Sequence, residues 1–321
     1  MTRAHATPHS MVKALIRRQV PSRPLFIPLV FTLAAKLEDI PLPTFLTNPT
    51  KLANALTAFH RHLHTDGVAC YFDFTLRAEA LGYQLDWRTT PPAIIAPPPK
   101  DVSNLLQISP QKLEQRGRIP AALEVVRRLR ATLRDEPALL VGLAGPIRLG
   151  QQLVGPDFAD RLAAHDDLAE SLFYDLIDSV TVPLVQAFCR AGADIIFLSE
   201  VPVSPNVFDS WQTSLETVWN VIHFHEVLPV LSVNETELPA VLDGAPLICR
   251  PPEALAIPLL SNHPFGLALP KVEALPASLE QWLTSGRCAM ITTQDEISYQ
   301  TEIQDLERIV NTMRSAVKIA L

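Results

Sequence analysis

Eight short runs of uninterrupted apolar residues punctuate the chain: LFIPLVF (25–31), VACYFD (68–73), ALLVGLA (138–144), DIIFLS (194–199), LPVLSV (228–233), PLICR (246–250), FGLAL (265–269) and CAMITT (288–293). Continuous runs of this length, rather than strict apolar–polar alternation, are what parallel strands covered on both faces require. Helix-like stretches separate most of them. Asn48-Pro49 places a capping side chain before proline at a first helical position, and Ile119-Pro120 opens a second periodic stretch that ends in basic residues. Pro183 interrupts the stretch 166–194 and marks a kink or break, while residues 303, 306, 309, 310 and 313 align on one face of a last helix. Eight strand–helix units predict an α/β fold, a single TIM-type (β/α)8 barrel over residues 23–321, preceded by an irregular N-terminal lead over 1–22.

The catalytic face of such a barrel lies at the carboxyl ends of its strands. Asp73, Arg77, Arg148, Glu200 and Asn234 all fall at or just past those ends. The long proline-rich stretch TTPPAIIAPPPKDVSNLLQISPQKLEQRGR, residues 89–118, follows the second strand and is therefore expected to form a lid or pocket wall. With 29 prolines and only 11 glycines in 321 residues, the chain has much punctuation and few places where backbone could cradle phosphate. It carries no Walker loop, no Gly-x-Gly-x-x-Gly and no Gly-x-Ser-x-Gly elbow.

A formal charge of −7 opposes non-specific attraction to nucleic acid and anionic lipid. Apolar runs such as PLFIPLVFTLAA stop short of the ~18–20 residues of a membrane span. The first twenty residues lack the apolar core of a secretory signal, so the cytoplasm is the expected compartment. Cys70, Cys189, Cys249 and Cys288 each sit in an apolar segment, which fits reduced, buried thiols better than a disulfide framework.

Three segments, DGVACYFDFTLRAEALG (66–82), LLVGLAGPIRLGQQLVG (139–155) and FCRAGADIIFLSE (188–200), resemble the uroporphyrinogen decarboxylase superfamily, which includes the decarboxylase and methyltransferases that work with methyl-corrinoids. The resemblance covers about half of the chain and implies a small-molecule ligand, tetrapyrrole-like or otherwise carboxylated, in the barrel mouth. Asp73 matches the family's central aspartate, which in the decarboxylase stabilises a cationic intermediate. Glu200 is a candidate general acid or base, and Arg77, Gly145, Arg148, Asn234 and Arg250 are candidate substrate contacts.

Two departures separate this sequence from the family's established chemistries. The arginine-rich element that follows the first strand in decarboxylases is replaced by IPLVFTLAAKL, residues 27–37. The methyltransferase branch uses a His-x-Cys after the fifth strand and a later cysteine to hold zinc, and here Ser232 and Asn234 stand at the first two positions. No metal site and no bound cofactor are therefore expected. By elimination the sequence favours a metal-free, Asp73-centred decarboxylase-like enzyme. The alternatives are a zinc-free methyltransferase, with a corrinoid as partner substrate or a methoxylated compound, and a non-catalytic tetrapyrrole-binding barrel. A homodimer is left open. His60, His62 and His64 close the helix leading into the second strand, the stability face of a barrel, and His223 and His225 fall to the same argument; the role of His263 is open.

Overall fold

The computed structural model describes residues 7–95, 107–233, 247–251, 263–269 and 279–317. Eight parallel strands form one sheet: β1 (Leu25–Ile27), β2 (Gly67–Phe72), β5 (Ala138–Ala144), β6 (Ile195–Glu200), β7 (Leu228–Val233), β8 (Leu247–Arg250), β9 (Phe265–Leu269) and β10 (Cys288–Thr293). Their order is β1-β10-β9-β8-β7-β6-β5-β2, so the sheet curls until its two ends, β1 and β2, face each other. The predicted TIM-type barrel is observed. Every residue of β2, β5, β6 and β7 is buried, the physical origin of the unbroken apolar runs.

At the β1–β2 seam the ladder is replaced by side-chain bonding. The Asp66 carboxylate accepts from the Phe26 amide at 2.8 Å, the Asp66 amide donates to the Phe26 carbonyl at 3.1 Å, and Arg23 clamps the same carboxylate at 2.6 and 2.8 Å. The run 25–31 yields only three strand residues, because Pro28 has no N–H to continue the ladder. Beyond it the Leu29 amide donates to Thr293 Oγ1 at 3.0 Å, and the Leu29 carbonyl accepts from Ile297 at 2.8 Å. These bonds tie the segment after β1 to the segment after β10.

The lead contains a helix, Pro8–Ile16, rather than irregular chain throughout. It buries Met11, Val12 and Leu15 and pairs His9 with Asp194 and Lys13 with Glu226, residues that immediately precede β6 and β7. It therefore covers the amino-terminal end of the barrel. The break expected near Pro183 is a π-helical turn, Ile177–Thr181, between the helices Asp167–Leu176 and Val182–Ala191. Against the expectation from the sequence, Asp167–Ala191 is long and apolar enough to cross a membrane by length and composition. In the fold, 61% of that window is buried inside the protein.

Two further short strands, β3 (Leu85–Asp86) and β4 (Ala93–Ile94), pair antiparallel in the long connection after β2. They bring Pro91 and Pro92 back over the barrel mouth.

Candidate functional site

A cavity of about 650 Å³ opens at the carboxyl ends of the strands. It spans four neighbouring strand ends in the order β5, β2, β1, β10. Its lining begins with Arg148 and Gln152 from the helix Pro146–Val154 after β5, and Phe72, Asp73, Phe74 and Thr75 from the end of β2. It continues with Thr32 from the segment after β1, and with Asp295, Glu296, Ser298 and Tyr299 after β10. Thr90, Pro91, Pro92, Ala93 and Ile94 form an outer wall, so the long connection lines the pocket as expected.

Asp73 stands in this cavity on a rigid support. Its Oδ1 accepts from the Thr75 amide at 2.8 Å and the Thr75 hydroxyl at 2.7 Å, and its Oδ2 accepts from the Arg118 guanidinium. Arg118 is only 4% exposed. It also donates to Glu79 at 2.7 Å and Thr75 Oγ1 at 2.9 Å, and it lies 5.0 Å from the centre of the Trp87 ring. Burial alone would lower the pKa of this guanidinium, but the surrounding Tyr71, Asp73 and Glu79 raise it on balance. The central aspartate is thus one half of a buried ion pair.

Arg118 was not among the candidates from sequence, since it lies 45 residues from Asp73 in a stretch with no clear periodicity. Glu296 was also missed. Its Oε1 accepts from both the amide and the hydroxyl of Thr32, each at 2.5 Å. Burial pushes its carboxyl up to about 7, the Thr32 bonds pull it down, and the charge of Asp73 adds to the rise. A carboxyl poised near neutrality in a cleft can give or take a proton at ordinary pH. The signal was available: Glu296 follows the last strand as Asp73 follows the second.

The remaining candidates divide sharply. Arg148 lines the cavity with its guanidinium 5.4 Å from the centre of the Phe74 ring, and its Nε has no hydrogen-bond partner among the described residues. Glu200 and Gly145 do other work. Glu200 is 1% exposed and accepts from the amides of Ile147 at 3.1 Å, Arg148 at 2.9 Å and Val201 at 2.9 Å. Burial raises its pKa while those amides oppose the rise. It caps the helix that carries Arg148, and a Cβ on Gly145 would come within 2.2 Å of its Oε2. Gly145 is needed for that close approach.

Arg77 and Arg250 are buried and are not among the described residues that line this cavity. Arg77 donates to the Ala144 carbonyl and to Thr181 Oγ1 at 3.1 Å, bracing the end of β5 against the π-helical turn, and burial lowers its pKa to about 10. Arg250 is 1% exposed at the end of β8. Asn234 lies outside the described residues. His60 is buried, His62 meets Glu307 at 2.5 Å and His64 caps its helix, all at the amino-terminal side of β2; His263 is exposed just before β9.

Among the described residues the side chains do not assemble a zinc-type donor set. All four cysteines are buried and free, and burial raises each thiol, that of Cys288 to about 12. Ser232 pairs in register with Cys249, but no group of three or more His, Cys, Asp and Glu among the described residues could hold a metal.

A (β/α)8 barrel with an acid-bearing cleft over its strand ends defines the class. The chain belongs to the uroporphyrinogen decarboxylase (URO-D) family, whose model matches residues 7–217. It is 27% identical over 169 residues to the methylcobamide:CoM methyltransferase MtaA of Methanosarcina barkeri (strain Fusaro / DSM 804), covering 51% of this chain and 49% of that protein. It is 28% identical over 143 residues to the methylated-thiol–coenzyme M methyltransferase of Methanosarcina mazei, covering 43% of this chain and 38% of that one. The chain thus matches about half or less of the length of these curated relatives. A solved methyltransferase from Methanosarcina mazei shares the fold over 96% of this chain and 98% of its own, with a TM-score of 0.74 at 18% identity. The B12-independent methionine synthase from Shewanella sp. W3-18-1 superposes with a TM-score of 0.52 at 12% identity, over 84% of this chain and 87% of that one.

Proposed function

We propose that this protein is a methyl-transfer enzyme that moves a methyl group between small molecules bound in the cleft over β5, β2, β1 and β10. The observation that carries the reading is the charge of that cleft. Among the described lining residues, the acids Asp295 and Glu296 and the Arg118-paired Asp73 stand against one cation, Arg148. A polycarboxylated tetrapyrrole needs the opposite arrangement. Arg77 and Arg118 cannot supply it from their buried positions without breaking the bonds they make to Thr181 and Ala144 and to Asp73, Thr75 and Glu79. The similarity to methyltransferases in sequence supports the same choice over decarboxylation.

Within this reading each residue has a chemical task. An acceptor X–H loses its proton to Glu296 as its X atom forms a bond to the methyl carbon. The bond from that carbon to the donor atom breaks, and the electron pair leaves with the donor. The proton then passes from Glu296 to the released group or to water, which restores the carboxylate. Asp73, fixed by Arg118 and Thr75, supplies an oriented acceptor that needs no reorganisation during the step. Phe72 and Phe74, 5.0 Å apart, give the methyl group an apolar wall. The donor under this reading is a methylated cobamide or a methoxylated compound, handled without zinc.

The test is incubation of the full chain with isotopically methyl-labelled methylcobalamin or a methoxylated aromatic and a thiol acceptor, followed by NMR of the label. In parallel, uroporphyrinogen is incubated and its products separated by carboxyl number. Label on the acceptor with all carboxyls retained is the expected result. Loss of carboxyls without methyl transfer would return the protein to decarboxylation, and stoichiometric zinc in active enzyme would overturn the zinc-free mechanism.

A further inference from the structure

The charges in the cleft are segregated. Strand order places Arg148 and Gln152 after β5 at one end, Asp73 after β2 between, and Thr32, Glu296 and Asp295 after β1 and β10 at the other. Asp73 is neutralised in place by Arg118, so it does not set the polarity. Among the described residues no ion pair joins Arg148 to Asp295 or Glu296, although all three line the same cavity. A cation and two acids left apart in one pocket are arranged for something lying between them.

We propose that the cleft takes a zwitterionic small molecule, with its carboxylate or sulfonate against Arg148 and its methylated cationic group against Asp295, Glu296 and Tyr299. This rests on the methyl-transfer reading only for the methyl group; the two charges come from the cavity. At the basic end, Arg148 Nε is a buried donor without a hydrogen-bond partner, and Gln152, whose buried Oε1 is also unpartnered, carries the amide donor that an anion needs. The two residues are four apart on one helix, so they present neighbouring side chains to the same ligand end. Arg148 is also pre-oriented, by the Phe74 ring beneath it and by Glu200 holding its backbone amide. At the acidic end, Glu296 is held by the Thr32 bonds to Oε1 and by the Phe31 backbone, and Tyr299 lines the same end with an aromatic ring of the kind that suits an alkylated ammonium or sulfonium. A cavity of about 650 Å³ is within the ordinary range for a small ligand.

Protonation gives a second, independent readout. The charged or titratable groups that share the cavity with Glu296 are Asp73 with its partner Arg118, Asp295, Arg148 and Tyr299. With its carboxyl held at about 7, Glu296 is partly protonated at neutral pH. A cation arriving beside it stabilises the ionised form, so binding should release a proton.

The experiment is titration calorimetry of the full chain at pH 7, in buffers of different ionisation enthalpy, with three probes. Glycine betaine carries both charges, choline only the cation, and tert-butylacetate only the anion on the same shape. Glycine betaine is expected to bind roughly tenfold or more tightly than either single-charge probe, with proton release. Arg148→Gln should weaken glycine betaine and tert-butylacetate roughly tenfold and leave choline unchanged, and Arg148→Lys should recover part of the loss. Glu296→Gln should weaken glycine betaine and choline and abolish the proton release. Equal binding of glycine betaine and choline, or an Arg148→Gln protein of unchanged melting temperature that binds glycine betaine normally, overturns the proposal. Methyl transfer without binding of any probe would sink this inference and leave the methyl-transfer reading standing. Probe binding as expected without any methyl transfer would do the reverse.

Discussion

Glu200 shows how a single side chain can sit at a strand end and yet serve the site indirectly. Two of its three backbone bonds, from the Ile147 and Arg148 amides, hold the first turn of the helix that carries Arg148, and the space for its carboxylate exists only because residue 145 is glycine. Gly145→Ala forces a Cβ into that carboxylate, and overpacking of this kind costs about 1–3 kcal/mol. The expected outcome is a lower melting temperature together with weaker binding at the Arg148 end, read by thermal unfolding and titration. Unchanged stability would mean that Glu200 swings away freely and does not hold the helix. Asp73 and Glu200 looked equivalent in the sequence, since both are acids next to a strand terminus. They differ because Asp73 faces the cavity and Glu200 turns inward under the next loop.

The elements that build the cleft are loops braced from behind. Arg118 opens the helix Ile119–Leu133 and reaches across to Asp73, Thr75 and Glu79, pinning the end of the long connection to the segment after β2. Arg118→Met keeps much of the apolar volume but leaves Asp73 and Glu79 as uncompensated acids. Removing one partner of a buried pair costs about 3–5 kcal/mol. Chemical denaturation should register that loss, and Asp73→Asn in the same background should restore part of it, because the stranded charge is then gone. Additive effects of the two substitutions would contradict the pairing. The Thr32–Glu296 bonds perform the same bracing on the other side of the cavity, between the segments after β1 and β10.

On the scale of the whole molecule, the barrel separates a stability end from a chemical end. The helix Pro8–Ile16 closes the former, burying Met11, Val12 and Leu15 beside the starts of β6 and β7. Fully burying one such apolar side chain contributes about 1.5–3 kcal/mol. Deletion of residues 1–17 should therefore lower the melting temperature by several degrees and increase binding of a hydrophobic dye. Ligand affinity at the opposite end should change little in the fraction that stays folded. A truncated protein that melts as the full chain does would show that the helix rests on the barrel without stabilising it.

The sequence by itself determined the eight strands and their parallel, doubly covered character. That information is local: β7, β9 and β10 coincide with their apolar runs because a strand buried on both faces must be apolar at every position. It also identified which carboxyl ends to watch, and hence Asp73 and Arg148. Tertiary structure alone decided which of those end residues share a cavity. Arg118 joins Asp73 across 45 positions, and Glu296 joins Thr32 across 264, at contacts that no periodicity encodes. Arg77, Arg250 and Glu200 had the right chemistry for substrate binding or proton transfer, but a strand end offers both an inward and a mouthward direction. The packing around each side chain, not its place in the chain, selects between them.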